Sequence, residues 1–129
     1  MPRVVHFEIY AEEPERAISF YQTCFGWNFT KWTGGSDDYW IINTGPADQP
    51  GINGGMLRRR EKLNAVSVIG YVCTVDVPDL DETIAAVVRQ GGAVALAKDA
   101  VPGMGWLAYF TDTEGNIFGA MQFDRTAGT

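Results

Sequence analysis

A chain of 129 residues, with 46% hydrophobic and 20% charged side chains, fits a single globular domain that has its own core. Its net charge of −6 at pH 7 argues against nucleic-acid binding, and no apolar run approaches the ~20 residues that span a bilayer. The N-terminus lacks the apolar segment of an export signal, so we expect a cytoplasmic protein. Cys24 and Cys73 are too few for a disulfide framework and are expected to be small buried residues.

The first half of the chain predicts a strand, a helix and three more strands. Val4–Tyr10 alternates apolar and polar residues with the period of a strand. Pro14 is typical of the first position of a helix, and Gly26 is a plausible end. The other strands of this half are predicted at Trp27–Thr33, Tyr39–Thr44 and around Ile52–Leu57.

The second half predicts the same order of elements. Val68–Val75 reads as a strand, and Asp79 with Glu82 has the spacing of a capping box at the start of a helix. Gly91 ends that helix. The remaining strands are predicted at Ala93–Ala97, Trp106–Thr111 and Asn116–Phe123.

The two halves align as an internal repeat with a shift of about 65 residues. This shift places Gly26 on Gly91, His6 on Tyr71, and Ile52–Met56 on Ile117–Met121. The repeat predicts an α+β fold of two tandem βαβββ modules, whose curved sheets enclose a cavity and whose helices lie outside. Module one spans about 1–57, a connector 58–67, module two 68–123 and a tail 124–129.

Several motifs resemble the vicinal oxygen chelate superfamily of glyoxalase I, extradiol dioxygenases and bleomycin-resistance proteins. They are His6–Tyr10, Pro14–Ala17, Phe25–Trp27, Gly105–Asp112 and Glu114–Gly119. The last two are similar to a glyoxalase-related branch of undefined activity. The resemblance implies the two-module fold and a homodimer, with contacts expected at strand edges around Asn116–Phe123 or Val4–Tyr10.

The resemblance also implies where metal ligands would come from. In metal-dependent members, the first and fourth strands of each half each supply one. His6 matches the first position, the two fourth-strand positions fall on Gly54 and Gly119, and the remaining one falls on Gly70 or Tyr71.

Only one of these residues is a good metal ligand. Glycine has no side-chain donor atom, and a catalytic metal site normally keeps at least three protein ligands. We therefore predict no resident cofactor. A divalent metal bound by His6 and Glu8 is kept as the alternative.

Strand alternation predicts which side chains line the cavity. His6, Glu8 and Tyr10 point into it from the first strand. Two strands leave the opposite parity open, in which case Trp40 and Tyr109 replace their neighbours. The further predicted lining residues are Tyr39, Tyr71, Cys73, Trp106, Phe110, Ile117, Met121 and Phe123, with Gly54 and Gly119 leaving space.

Two functional hypotheses follow from apolar walls with a few polar groups. In the first, the chain binds a small molecule without a metal, and Glu8 with the acidic composition favours a neutral or cationic aromatic ligand. In the second, it is a small lyase or isomerase in which His6 and Glu8 form the acid–base pair. Arg58–Arg60 is typical of a solvated connector, with an anion site as the alternative.

Overall fold

The computed structural model describes residues 2–34, 38–59 and 69–129. Over these residues, the first half of the chain forms β1 (Arg3–Ala11), α1 (Pro14–Phe25), β2 (Asn28–Trp32), β3 (Tyr39–Asn43) and β4 (Gly54–Arg58). The second half forms β5 (Tyr71–Asp76), α2 (Leu80–Arg89), β6 (Ala93–Val101), β7 (Gly105–Thr111) and β8 (Ile117–Phe123). The two βαβββ units predicted from the repeat are confirmed. Most of the predicted connector lies outside the described residues.

All eight strands belong to one curved, open sheet with the order β2-β3-β4-β1-β5-β8-β7-β6. Within each unit the first and fourth strands run parallel, β1 beside β4 and β5 beside β8. The antiparallel pair of β1 and β5 joins the two units at the centre of the sheet. The first strands of the two modules therefore lie side by side, as a pair of units related by a two-fold axis requires.

The helices begin and end where local chemistry predicts. Pro14 occupies the start of α1, and Gly26 ends it in the left-handed conformation at φ 71°, with its N–H donating to the Gln22 carbonyl. The Asp79 side chain caps α2 by accepting from the Glu82 N–H. None of the helices in the described part of the chain has the length and hydrophobicity needed to cross a membrane.

Buried side chains form three clusters on the two faces of the sheet. One lies under α1 around Phe7, Ile42 and Met56, and another lies under α2 around Leu80 and Phe110. The third contains no helical residue and is built from Tyr10, Leu57, Val72, Ala95 and Tyr109. We call the face that carries this third cluster the inner face and the helix-covered face the outer face.

Two sequence-based expectations are wrong. Val4–Tyr10 and Asn116–Phe123 are not sheet edges, because β1 and β8 each have a neighbouring strand on both sides; the edges are β2 and β6. Cys24 and Cys73 are exposed rather than buried. Cys73 pairs with Phe7 on the outer face, between the areas that the two helices cover.

Candidate functional site

The inner face carries a cluster of polar side chains at the junction of the two modules. Strand alternation places His6, Glu8 and Tyr10 of β1 on this face, as predicted. Tyr39 reaches them from β3, and Tyr109 reaches them from β7. Glu8 is 6% exposed, so a carboxyl group lies buried at the centre of the sheet.

Each tyrosine passes over a glycine to reach Glu8. A Cβ atom at Gly55 of β4 would overlap the Tyr39 hydroxyl. A Cβ atom at Gly119 of β8 would lie 3.3 Å from the Tyr109 ring. The two modules thus use the same device: a glycine on the fourth strand leaves room for a tyrosine from the strand beside it.

Glu8 is held by hydrogen bonds from these phenols. Tyr109 donates to Glu8 Oε1 at 2.5 Å, and the Tyr39 hydroxyl is close enough for the Glu8 side chain to raise the pKa of Tyr39. Tyr39 in turn lies 2.9 Å from His6 Nε2, and that nitrogen is 4.0 Å from Glu8 Oε2. The four side chains form one connected network.

The environment fixes the protonation of this network near neutral pH. Burial raises the pKa of Tyr39 and of Tyr109 above that of a free phenol, and the charge of Glu8 raises both further. Burial lowers the pKa of His6 below its usual 6.5, although the nearby Glu8 charge opposes this in part. Both phenols therefore keep their protons, and His6 is a neutral imidazole.

Proton positions in the network follow from the acceptors. We infer that the Tyr39 O–H points to the charged Glu8 and that its oxygen accepts from His6, which places the His6 proton on Nε2. Nδ1 then carries a lone pair. Within the described residues no group hydrogen-bonds Nδ1, and the His6 side chain is 33% exposed. His6 thus offers a neutral acceptor to a small molecule.

Five residues predicted to contact a ligand do lie on the inner face together with His6 and Glu8. Leu107, which pairs with Met121, belongs to the inner cluster, and so does Ile117. The five are Tyr10, Tyr39, Tyr109, Gly119 and Met121. In β7, Tyr109 faces inward and Trp106 and Phe110 face outward, which is the second of the two alternatives that the sequence left open.

Four other residues that were predicted to contact a ligand lie on the outer face, away from His6 and Glu8. Gly54 packs against the Phe7 ring, and Trp40 packs in the cluster under α1. Tyr71 stacks on Phe7 with ring centroids 5.7 Å apart. Trp106 lies in the cluster under α2, as does Phe110, which was predicted to line the cavity.

The polar atoms of Tyr71 and Trp106 form hydrogen bonds on the outer face. The Tyr71 and Tyr21 hydroxyls are 2.7 Å apart, and burial together with this hydrogen bond raises the pKa of Tyr71 to about 12. Trp106 Nε1 donates to Asp124, and Lys98 lies 5.1 Å from the Trp106 ring centroid. These groups belong to the packing of the helices.

The inner face also contains residues that the sequence analysis missed. In the central pair, His6 lies opposite Thr74 and Glu8 lies opposite Val72, so Thr74 and Val72 share the inner face. Gly55 pairs with Glu8 and Gly119 pairs with Thr74, so both glycines lie on this face as well. The fixed shift of 65 selected the outward-facing neighbours, Tyr71 and Gly54. If the alternation of inward and outward residues in Tyr71–Asp76 had been aligned with that of β1, Thr74 would have been predicted to face inward.

The basic residues lie at the end of this site and are held by the protein itself. Arg58 pairs with Asp38 at 3.2 Å. Arg59 donates from Nη2 to the Tyr10 carbonyl at 3.2 Å and lies 3.9 Å from Glu12. Its Nε is buried without a hydrogen-bond partner among the described residues. Arg60 lies outside the described residues.

The inner-face residues do not fit a transition-metal site. The inner-face residues at or next to the predicted ligand positions are His6, Gly55, Val72 and Gly119, of which only His6 has a side-chain donor atom for a metal. The space over the two glycines holds the side chains of Tyr39 and Tyr109. Among the residues that the structure describes, no group of three or more His, Cys, Asp or Glu side chains is arranged to hold a metal ion.

Residues 3–119 match the sequence profile of the Glyoxalase/Bleomycin resistance protein/Dioxygenase superfamily. No curated protein sequence matches the chain significantly. Similar solved structures include a Streptomyces coelicolor methylmalonyl-CoA epimerase in complex with 2-nitronate-propionyl-CoA. It is 13% identical, with a TM-score of 0.64 over 98% of both chains.

Two further solved structures have a similar fold. The hypothetical protein BH1468 from Bacillus halodurans C-125 is 12% identical, with a TM-score of 0.65 over 99% of both chains. The methylmalonyl-CoA epimerase of Mycobacterium tuberculosis is 15% identical, with a TM-score of 0.61 over 94% of this chain and 87% of that chain. At these identities the likeness concerns the fold.

Replacing Gly55 with alanine tests the close approach of Tyr39. The added methyl group collides with the Tyr39 hydroxyl, which is held by His6 and Glu8, so we expect a loss of about 1–3 kcal/mol in unfolding free energy. Urea denaturation measures it. Gly45→Ala is the control, since no atom lies within 4 Å of a Cβ there. Equal stability of the two variants would show that Tyr39 is free to move.

The lowered pKa of His6 predicts how stability depends on pH. The unfolded chain takes up the His6 proton first as the pH falls, because its pKa stays near 6.5. The stability from neutral His6 is therefore complete above pH 6.5, declines as the pH falls below it, and is lost below the folded-state pKa. Urea denaturation between pH 7.5 and 5 should show a shallower decline in His6→Gln. A steeper decline in the variant would contradict a neutral, desolvated His6.

Proposed function

Because the chain belongs to the Glyoxalase/Bleomycin resistance protein/Dioxygenase superfamily, we propose that it binds a small molecule on its inner face, between the two modules, without a metal ion. The ligand is neutral or cationic and has an aromatic or oxygenated part. The observation that carries this proposal is the buried Glu8 carboxylate, held by two protonated phenols beside a neutral His6.

Electrostatics supports the choice of ligand charge. Over residues 2–34, 38–59 and 69–129, Glu8 forms no ion pair with lysine or arginine, and its one basic neighbour is the neutral His6. A buried negative charge of this kind disfavours an anion in the same low-dielectric space. It attracts a cation and tolerates a neutral group.

The surroundings of the network support an aromatic or apolar ligand part. Tyr39 packs edge-on against Trp32, with ring centroids 5.9 Å apart. Ile41 of β3 and Phe123 of β8 are on the inner-face parity of their strands and are 45% and 55% exposed. Exposed apolar groups around a few polar atoms are typical of small-molecule sites.

One observation favours an enzymatic alternative, a small lyase or isomerase. His6 Nδ1 is unprotonated and has a lone pair, and His6 Nε2 hydrogen-bonds to Tyr39, which interacts with Glu8. This arrangement would suit His6 as a general base, with Glu8 orienting it through Tyr39 and stabilising the imidazolium. Binding takes precedence because, among the described residues, no lysine or arginine pairs with Glu8 or His6 to stabilise a negative charge developing on a substrate.

The structural neighbours support binding of a small molecule by this fold and not the identity of the ligand. Methylmalonyl-CoA epimerases of this fold have been solved with CoA esters bound. At 13% and 15% identity, that ligand is not transferred to this chain.

A homodimer and a cytoplasmic location remain part of the proposal. The exposed rings of Phe20, Phe25 and Tyr71 surround Tyr21 on the outer face. An apolar surface of this kind on one chain is suited to a second copy of the chain. It lies on the opposite face from the proposed ligand site.

Three aromatic probes of the same shape test the charge preference. Benzamidine is cationic, benzamide neutral and benzoate anionic. The chain has a single histidine, so the ring-proton NMR signals of untagged protein report binding at His6 directly. We expect benzamidine and benzamide to shift these signals and benzoate to leave them unchanged. Glu8→Gln should weaken benzamidine by about tenfold more than benzamide.

The control for this experiment is Tyr71→Phe, which removes a hydroxyl from the outer face and should leave all three probes unaffected. Tight binding of benzoate at His6 would contradict the charge argument. A failure of all three probes to perturb His6 would contradict a site on the inner face.

The metal-free part of the proposal has its own test. The protein is purified without chelator or metal-affinity tag, and its metal content is measured per chain. The melting temperature of the protein is then measured with EDTA and with added Zn²⁺, Ni²⁺, Mn²⁺ or Fe²⁺. We expect far less than one metal per chain and no change in Tm, because a single imidazole binds such ions weakly. Stoichiometric metal with an EDTA-reversible shift would contradict the proposal.

A further inference from the structure

Thr74 places a hydroxyl group in the site that the network does not use. It lies directly opposite His6 in the central strand pair and is 5% exposed. Its Oγ1 is 3.1 Å from the position of a Cβ at Gly119, so it sits over that glycine beside the Tyr109 ring. No described residue hydrogen-bonds this hydroxyl. Thr74 Oγ1 keeps some solvent-accessible surface, so a ligand atom can contact it from the inner face.

Packing alone does not account for a hydroxyl group here. A buried polar group without a partner is destabilising, and an apolar side chain of the same shape removes that cost. Val72, two residues earlier on the same strand and face, shows that valine fits this environment. Buried polar groups in native proteins normally have a partner, which a ligand or an ordered water can supply.

A second unpaired polar atom lies across the strand. His6 uses Nε2 toward Tyr39, and in the tautomer inferred above Nδ1 is an acceptor that no described residue hydrogen-bonds. Directly opposed residues of antiparallel strands have Cβ atoms about 4.5–5.5 Å apart. A single ligand group of two or three heavy atoms can therefore contact both side chains.

We propose that His6 Nδ1 and Thr74 Oγ1 together bind one neutral polar group of the ligand, which donates an N–H or O–H to Nδ1 and accepts a hydrogen bond from Thr74. A primary carboxamide has this chemistry, and a carboxylate does not. This inference rests on the proposed function and specifies which end of the ligand enters the site.

The chemistry of the two side chains sets this preference. A lone pair on Nδ1 repels another lone pair and attracts a donor. The Thr74 hydroxyl has no competing acceptor among the described residues, so it is free to donate to a carbonyl oxygen. A carboxylate would bring its charge close to Glu8, which lies 4.0 Å from His6.

Benzamide and acetophenone test the donor requirement. They have nearly the same shape and both carry a carbonyl group, but acetophenone has no N–H. We expect wild-type protein to bind benzamide about tenfold more tightly than acetophenone, measured from the shifts of the His6 ring-proton signals. In Thr74→Val, benzamide should bind about tenfold more weakly, and Thr74→Ser should restore most of the affinity.

Melting temperature gives an independent readout. If the hydroxyl serves a ligand, Thr74→Val should raise Tm of the ligand-free protein by roughly 3 °C, because the unpaired group is removed. A purely structural hydroxyl would give a lower Tm instead. The valine variant is thus expected to be folded when its affinity is measured.

The outcomes separate this inference from the proposed function. Equal affinity of benzamide and acetophenone, or unchanged benzamide affinity in Thr74→Val, would overturn the role of the pair while leaving inner-face binding intact. A lower Tm in Thr74→Val would also overturn it. If neither probe perturbs His6, both the inference and the proposed function fail.

Discussion

The site depends on one buried carboxylate that must be hydrogen-bonded. Glu8 lies at the centre of the sheet, where an unpaired charge would be strongly destabilising. The phenols of Tyr39 and Tyr109 supply the donors. Both reach it because Gly55 and Gly119 have no side chain, so the two tyrosines can occupy the space above the fourth strands. The two glycines and two tyrosines thus form one device that is repeated in each module.

The same constraint determines the chemistry of His6. Tyr39 keeps its proton and donates a hydrogen bond to Glu8, so its oxygen accepts from His6 Nε2–H, and the Nδ1 lone pair can accept from a ligand. The fold supplies positions from which related proteins could hold a metal ion. Here the space over Gly55 and Gly119 is filled by the two phenols. The ligand that we propose for this site is therefore a small neutral or cationic molecule that hydrogen-bonds to His6.

The fold was predictable because strong local signals agree with the repeat. Pro14, Gly26 and the Asp79 cap bound the helices where expected. The inner face was only partly predictable, since a one-residue error reverses the side of every residue in a strand. The shift of 65 is odd, so it placed His6 on Tyr71 and Gly119 on Gly54, which both lie on the outer face. Long-range partners such as Tyr109 and Glu8, 101 residues apart, leave no local pattern.

The most direct test of the account is the tautomer and charge of the single histidine, read from long-range ¹H–¹⁵N correlations at pH 7. The account predicts a neutral ring protonated on Nε2, with Nδ1 unprotonated, and a loss of this tautomer preference in Tyr39→Phe. A protonated imidazolium, or a neutral ring with its proton on Nδ1, would contradict the Glu8–Tyr39–His6 network and with it the proposed site.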